Sequence, residues 1–280
     1  MSRPLALHQT TVMQCSPLEL VAIAAEVGCD GVCVFVQVPA KPGAGRPVFP
    51  VVTQAMLPDM RARLRDTGIK VTNLEYFPLT PDVALQDYRA ALELGAALGA
   101  QRAVTHLHDT DEGRGIDSLA RFADLAAEYG LAVGLEFVGL SAGCPSLARA
   151  LQLVEQVGRA NLAVGVDPLH LQRTGGTPAD LAGVPPRLLS YAQLCDGPDL
   201  DDPGQALEAT RYVAEVFDRL SPGEGAFPLL ELVQVLPPDL PFDIEVPALR
   251  LRGSGISPLA HARRAVLGAR QVLATAGLGI

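Results

Sequence analysis

No apolar stretch in this 280-residue chain runs unbroken for the roughly 18 to 20 residues that a bilayer crossing needs. Gly, Pro or charge interrupts each one first, so no membrane partner is expected. The start, MSRPLALHQTTV, has one Arg and a short strand-like run but no apolar stretch with a small-residue cleavage site, and the expected location is the cytoplasm. Cysteine is sparse and unpatterned. Cys15, Cys29, Cys33, Cys144 and Cys195 are odd in number and none stands in CxxC spacing, which argues against a disulfide framework or a zinc knuckle and leaves packed, reduced thiols. Basic charge is short too: 22 Lys and Arg face 31 Asp and Glu, for a net charge of -9. Nucleic-acid affinity comes largely from Lys and Arg neutralising phosphates, so a small molecule is the expected partner and nucleic acid is not.

The sequence does hold a regular alternation. Short aliphatic or β-branched runs occur at Leu5–His8, Gly31–Val36, Lys70–Phe77, Arg102–Leu107, Leu131–Val138, Leu162–Asp167, Leu188–Asp196 and Phe242–Val246. Between most of them, apolar residues recur at helical spacing, as in Leu18, Val21, Ala22 and Ala25, or Leu119, Phe122, Ala123 and Ala126. Ser16-Pro17, Thr80-Pro81, Thr177-Pro178 and Ser257-Pro258 read as helix starts, a capping hydroxyl before a Pro that has no N–H to leave unpaired. Gly28, Gly130 and Gly158 stand where helices should stop. Eight strand–helix units predict an α/β fold, a single (β/α)8 barrel domain over 1–280 with an extended connection at about 197–240. An open doubly wound sheet is the alternative, but HQTTVMQCSP after the first strand contains no GxGxxG.

Four of the last four strands end in an oxygen-bearing side chain: Glu136 in LAVGLEF, Asp167 in LAVGVD, Gln193 in SYAQLCD and Glu245 in PFDIEV. Any one of them alone is readily a solvated strand-end residue. Together they fall in otherwise apolar runs, where an unpaired charge is costly unless something positive compensates it. A parallel barrel gathers the carboxyl ends of its strands at one mouth. Three carboxylates and an amide there form a hard, all-oxygen set, predicting one divalent cation: Mn2+ or Mg2+ first, with Zn2+ or Co2+ also compatible.

On these residues, with the DPLH and PGEG segments at Asp167–His170 and Pro222–Gly225, the chain resembles the sugar phosphate isomerase/epimerase family, the xylose isomerase-like barrels that also include endonuclease IV. The resemblance runs from SPLELVAIAAEVGCDGV through the last helix. It implies Glu136, Asp167, Gln193 and Glu245 as metal ligands, a keto-sugar or polyol substrate, and a homodimer or homotetramer. Relatives resembling D-tagatose 3-epimerase carry His where this chain has Gln193; the Gln variant with Asp-x-x-His also occurs in relatives resembling 3-dehydroshikimate dehydratase. Isomerisation or epimerisation through an enediolate is therefore the expected activity, with dehydration of a dehydroshikimate or an inosose as the alternative. The histidine-rich trinuclear zinc site and basic groove implied by endonuclease IV do not suit a chain with five His and net negative charge. A non-catalytic, metal-stabilised sensor or partner subunit is a further class.

Around the proposed ligands, His170 follows Asp167 closely enough to contact a substrate oxygen or shuttle a proton, and is a catalytic candidate with Glu136 and Glu245. His106 and His108 share one face of the fourth strand and are candidates for substrate contact. Glu75 ends the third strand as either a substrate ligand or a rim carboxylate; His8 at the end of the first is a weaker case. Cys195 shares a face with Gln193 and reads as packing, while Asp196 faces away. Arg219, chosen over Arg211, is expected to lean over the mouth and bind a substrate oxygen or anion. Arg250 and Arg252, in the glycine-containing loop before the last helix, suit either a phosphate contact or a surface loop, and KPGAGRP at Lys41–Pro47 either a lid or a surface turn.

Overall fold

In a computed structural model, described for residues 3–37, 50–200, 208–251 and 253–278, the eight runs form eight parallel strands. They are β1 (Leu5–His8), β2 (Gly31–Phe35), β3 (Lys70–Glu75), β4 (Arg102–Thr105), β5 (Ala132–Glu136), β6 (Leu162–Val166), β7 (Leu189–Leu194) and β8 (Phe242–Ile244). Each pairs with its neighbours in sequence, and β1 pairs with β8 through Leu5↔Phe242, Ala6↔Asp243 and Leu7↔Ile244. That last ladder closes the cylinder and rules out the open sheet. KPGAGRP and Arg252 lie outside the described residues.

The helices are α1 (Pro17–Glu26), α2 (Leu57–Thr67), α3 (Arg89–Ala97), α4 (Glu112–Glu128), α5 (Leu147–Val157), α6 (Pro168–Arg173), α7 (Ala209–Val216), α8 (Leu229–Val235) and α9 (Pro258–Thr275). Their starts follow local chemistry. Ser16 caps α1 in a reciprocal capping box with Glu19, and Ser257 caps α9, each with Pro at the first helical position. Thr177-Pro178 opens a 3-10 helix with the same box, closed by Asp180. Thr80-Pro81 is the exception: its hydroxyl bonds Asp82 and a turn follows, with helix resuming only in the 3-10 turn at Leu85–Tyr88 ahead of α3. Gly28, Gly130 and Gly158 follow α1, α4 and α5 at positive φ, as expected.

The outward faces of β1, β2, β3, β5 and β6 pack Leu7, Val32, Leu74, Val133 and Val164 into the core shared with the helices, where Leu20, Leu92, Phe122 and Leu153 are fully buried. Each such side chain is worth about 1.5–3 kcal/mol of burial. The inward face is more polar. Tyr191 from β7 lies across β6 and β5, in space left by Gly165 and Gly134: a Cβ on either would come within 2.5 Å or 2.7 Å of its ring. Below it, Arg102 donates to Asn73 and Ser190, and Asn73 donates to Asp243. Gly in two strands, normally unfavourable, is explained by this aromatic floor beneath the mouth.

The extended connection holds α7 and α8 and is pinned at its base by Asp196. That buried carboxylate accepts backbone N–H bonds from Gly197, Gly223 and Phe227 at 2.9, 2.9 and 3.0 Å, tying the SPGEG turn to the end of β7.

Candidate metal centre

Strand polarity brings Glu136, Asp167, Gln193 and Glu245 to the carboxyl end of the barrel, on β5, just after β6, on β7 and just after β8. All four are buried. Alternation also sets which neighbours face the same way: Tyr191 with Gln193, Asp243 with Glu245, Gly134 with Glu136.

Asp167 caps α6: its Oδ1 accepts from the backbone N–H of Leu169 at 2.6 Å and of His170 at 3.4 Å. Its Oδ2 accepts from Arg219 Nη1 at 2.6 Å, and the same nitrogen lies 3.3 Å from Glu245 Oε2. Arg219 is thus buried between two expected ligands, not leaning over them from solvent. Cys195, on the predicted face, touches both Asp167 and Arg219. Glu136 Oε2 is 3.3 Å from His106 Nε2 and accepts from the Tyr191 hydroxyl at 3.4 Å; its Oε1 is 3.5 Å from His170 Nε2. The His106 and His108 rings lie side by side, 6.1 Å between centroids. His170 Nδ1 meets the Tyr212 hydroxyl at 2.8 Å, and that oxygen accepts from Gly139 N–H.

Gln193 decides the fit to a cation. Both its amide oxygen and its amide nitrogen are buried without a hydrogen-bond partner. An unpaired buried polar group costs about 1–3 kcal/mol, so an amide left this way at the carboxyl end of the barrel needs a missing partner. At the same end of the barrel, Glu136, Asp167 and His170 offer ligand atoms that all lie within 4.8 Å of one another. The donor set is oxygen-rich with one imidazole at its edge, and it suits a divalent cation.

The electrostatics agree. Burial first, then repulsion from Glu245 and Asp167, holds Glu136 well above the usual carboxylate range. Burial raises Glu245 as well, against the pull of Arg219 and His8. Asp167 is buried too, but the Arg219 guanidinium and His170 outweigh that and keep it low. Burial lowers His170 to about 4, so its ring is neutral at physiological pH.

A second cluster lies on the other side of the mouth. His8 Nε2 is 2.9 Å from Glu75 Oε1, which Cys33 also approaches, and His8 Nδ1 is 2.7 Å from Thr10 Oγ1. Glu75 is therefore buried in an ion pair, not a rim carboxylate. Burial opposes a charge on His8, yet Glu245 and Glu75 raise it to about 10. Arg250 forms a partly exposed ion pair with Asp218, and Arg211 pairs with Glu215 on α7. Sequence reasoning missed Tyr191, Tyr212 and Thr10; only the alternation of β7 could have pointed to the first, since the others sit on a distant helix and a 3-10 turn.

A closed (β/α)8 barrel whose mouth gathers acids and an amide from successive strands defines a class, and the sequence places the chain within it. The model of the xylose isomerase-like TIM barrel family matches residues 21–260, and the chain belongs to that family. Over 113 residues it is 30% identical to the 3-dehydroshikimate dehydratase of Pseudomonas aeruginosa, a match covering 40% of this chain and 17% of that one; the chain thus spans under a fifth of this relative's length. Among solved structures, the IolI protein with a bound zinc atom superposes with TM-score 0.78 at 18% identity, covering 98% and 99% of the two chains. D-psicose 3-epimerase in the presence of D-fructose superposes with TM-score 0.72 at 16% identity, covering 99% and 100%. At these identities the likeness is one of fold.

Proposed function

We propose that the chain is a divalent-metal-dependent isomerase or epimerase that removes a proton from the carbon beside the carbonyl of a keto-sugar or related polyol. The observation that carries this reading is the buried Gln193 amide, without a hydrogen-bond partner at the end of the barrel that also carries Glu136, Asp167 and Glu245. Glu136, Asp167, Gln193 and Glu245 would hold the cation, with Mn2+ or Mg2+ suited to the oxygen set. Bound there, it would polarise the substrate's carbonyl and hydroxyl oxygens and offset the charge of an enediolate.

Glu136 and Glu245 stand three strands apart around the ring. They address the reacting carbon from different sides, so one removes the proton and the other returns it. In the cation-free site burial holds both carboxyls toward the protonated form, and a bound cation would shift them toward the carboxylates that ligate it. His106 and His108 line the approach and contact substrate hydroxyls, with Arg219 fixing the carboxylates behind them and Glu75 bordering the opposite wall.

Dehydration of a cyclic keto-polyol, a dehydroshikimate or an inosose, is the second reading, and His170 favours it. If the neutral ring donates Nδ1–H to Tyr212, its Nε2 lone pair faces the cluster as a base, and loss of a β-hydroxyl as water follows proton removal. If Tyr212 donates instead, Nε2–H orients an oxygen, as isomerisation requires. The curated relative is named for such a dehydration.

The test is to purify the protein, identify its metal by elemental analysis, and screen ketoses, inososes and 3-dehydroshikimate for an isomeric sugar or an ultraviolet-absorbing unsaturated product. Glu245→Gln should lower kcat about 10^2- to 10^4-fold, the usual contribution of a positioned acid or base. Full activity in that variant removes Glu245 from the mechanism.

A further inference from the structure

The cluster at the ends of β1 and β3 contains more organisation than a buried ion pair needs. Glu75 Oε1, His8 Nε2, His8 Nδ1, Thr10 Oγ1 and Glu245 Oε1 form an unbroken line of contacts at 2.9, 2.7 and 3.1 Å, with the imidazole ring bridging the first two. Four buried side chains from three different segments make it, and it ends on a proposed metal ligand. His8, Cys33 and Glu75 also gather ligand-type atoms within 4.8 Å of one another. A second cation there has no imidazole lone pair to use: one ring nitrogen meets Glu75, and the other meets both the hydroxyl and the backbone N–H of Thr10.

We infer that Glu75, His8 and Thr10 are positioning residues that fix the carboxylate of Glu245. The inference rests on Glu245 being a metal ligand, as proposed above. The direction of the hydrogen bonds gives the mechanism. The Thr10 backbone N–H donates to His8 Nδ1 at 3.2 Å and the Thr10 hydroxyl donates to Glu245 Oε1 at 3.1 Å, so the imidazole, paired at Nε2 with Glu75, seats the residue whose hydroxyl holds Glu245. Thr11, the next residue, donates its own hydroxyl to the carbonyl of Ile244 and accepts the N–H of Val246, clamping the backbone on both sides of Glu245. The 3-10 turn at Gln9–Val12 is therefore a bracket for the end of β8. With Oε1 tied to Thr10, Oε2 is the oxygen turned toward Arg219 and Asp167, so Glu245 serves the centre through one oxygen. Outer partners of this kind typically change metal affinity or activity 10- to 100-fold when removed.

The experiment measures Mn2+ affinity of the full chain by competition with a chelating dye, alongside kcat and KM on whichever substrate the screen identifies. Thr10→Val keeps the side-chain shape and loses the hydroxyl; Thr10→Ser restores the hydroxyl. Expected results are an affinity at least about 10-fold weaker in Thr10→Val, recovery in Thr10→Ser, and a fall in kcat with KM little changed. Glu75→Gln, which keeps an acceptor oxygen at the far end of the line, should weaken Mn2+ in the same direction by a smaller factor and serves if Thr10→Val does not fold. Mn2+ affinities equal to wild type in Thr10→Val and Glu75→Gln overturn the inference. Failure of the wild-type chain to bind any divalent cation overturns the functional reading itself, a separate outcome seen before any variant is made.

Discussion

At the scale of single residues, the site is governed by what each charge can find inside the barrel. Arg219 is the clearest case: its guanidinium lies between Asp167 and Glu245, buried as they are. Removing one member of a buried pair leaves an uncompensated charge, which costs about 3–5 kcal/mol. Arg219→Met should therefore lose about that much stability in chelator-treated protein, measured by urea unfolding, and lose less when Mn2+ is present to neutralise the same carboxylates. Equal losses with and without the cation would mean that Arg219 and the metal do not share those carboxylates. The sequence marked Arg219 as a site residue but placed it over the mouth; nothing in a linear pattern says how deep a guanidinium from a long connection will reach. Glu75 shows the same limit, since its partner His8 lies 67 residues away and pairs with it only because β1 and β3 flank β2 in the closed ring.

At the scale of elements, position is set by caps and turns more than by strand propensity. Asp196 illustrates it, because one carboxylate satisfies three backbone N–H groups and so holds the SPGEG turn and the start of the α8 segment to β7. Asp196→Ala should destabilise the protein by about 2–3 kcal/mol, the scale of leaving buried donors unpaired, while Asp196→Asn, which keeps one acceptor oxygen, should lose about half as much; thermal unfolding distinguishes them. The helix starts at Ser16 and Ser257 could be read from two residues each, because the cap acts within one turn. Thr80-Pro81 carried the same signal and opened a turn, because Thr80 bonds Asp82 locally and helix geometry waits until Leu85.

At the scale of the whole molecule, an unusually polar barrel interior makes stability depend on pH. Burial raises Asp243 from an ordinary 3.8 to about 6, against the attraction of His8 and Arg102. A folded-state pKa above the unfolded one means that the folded chain binds the proton more tightly. Asp243 thus favours folding at low pH, and that contribution is lost as pH rises from about 4 to about 6. Asp243→Asn carries no such proton, so its stability relative to wild type should rise across that window when both are unfolded in urea at each pH. A constant difference between the two would show that Asp243 titrates normally.

Composition and periodicity were enough for the alternation of strand and helix, for the (β/α)8 class, and for the oxygen-bearing residues at the ends of β5 to β8, because burial imposes a period along the chain and strand polarity assigns every strand end to one mouth. Closure of β1 on β8, the seating of Tyr191 over Gly134 and Gly165, the burial of Arg219 between Asp167 and Glu245, and the line from Glu75 through His8 and Thr10 required the tertiary structure. Each of these joins residues far apart in sequence, and their contacts depend on side-chain directions and distances that exist only once the cylinder has closed.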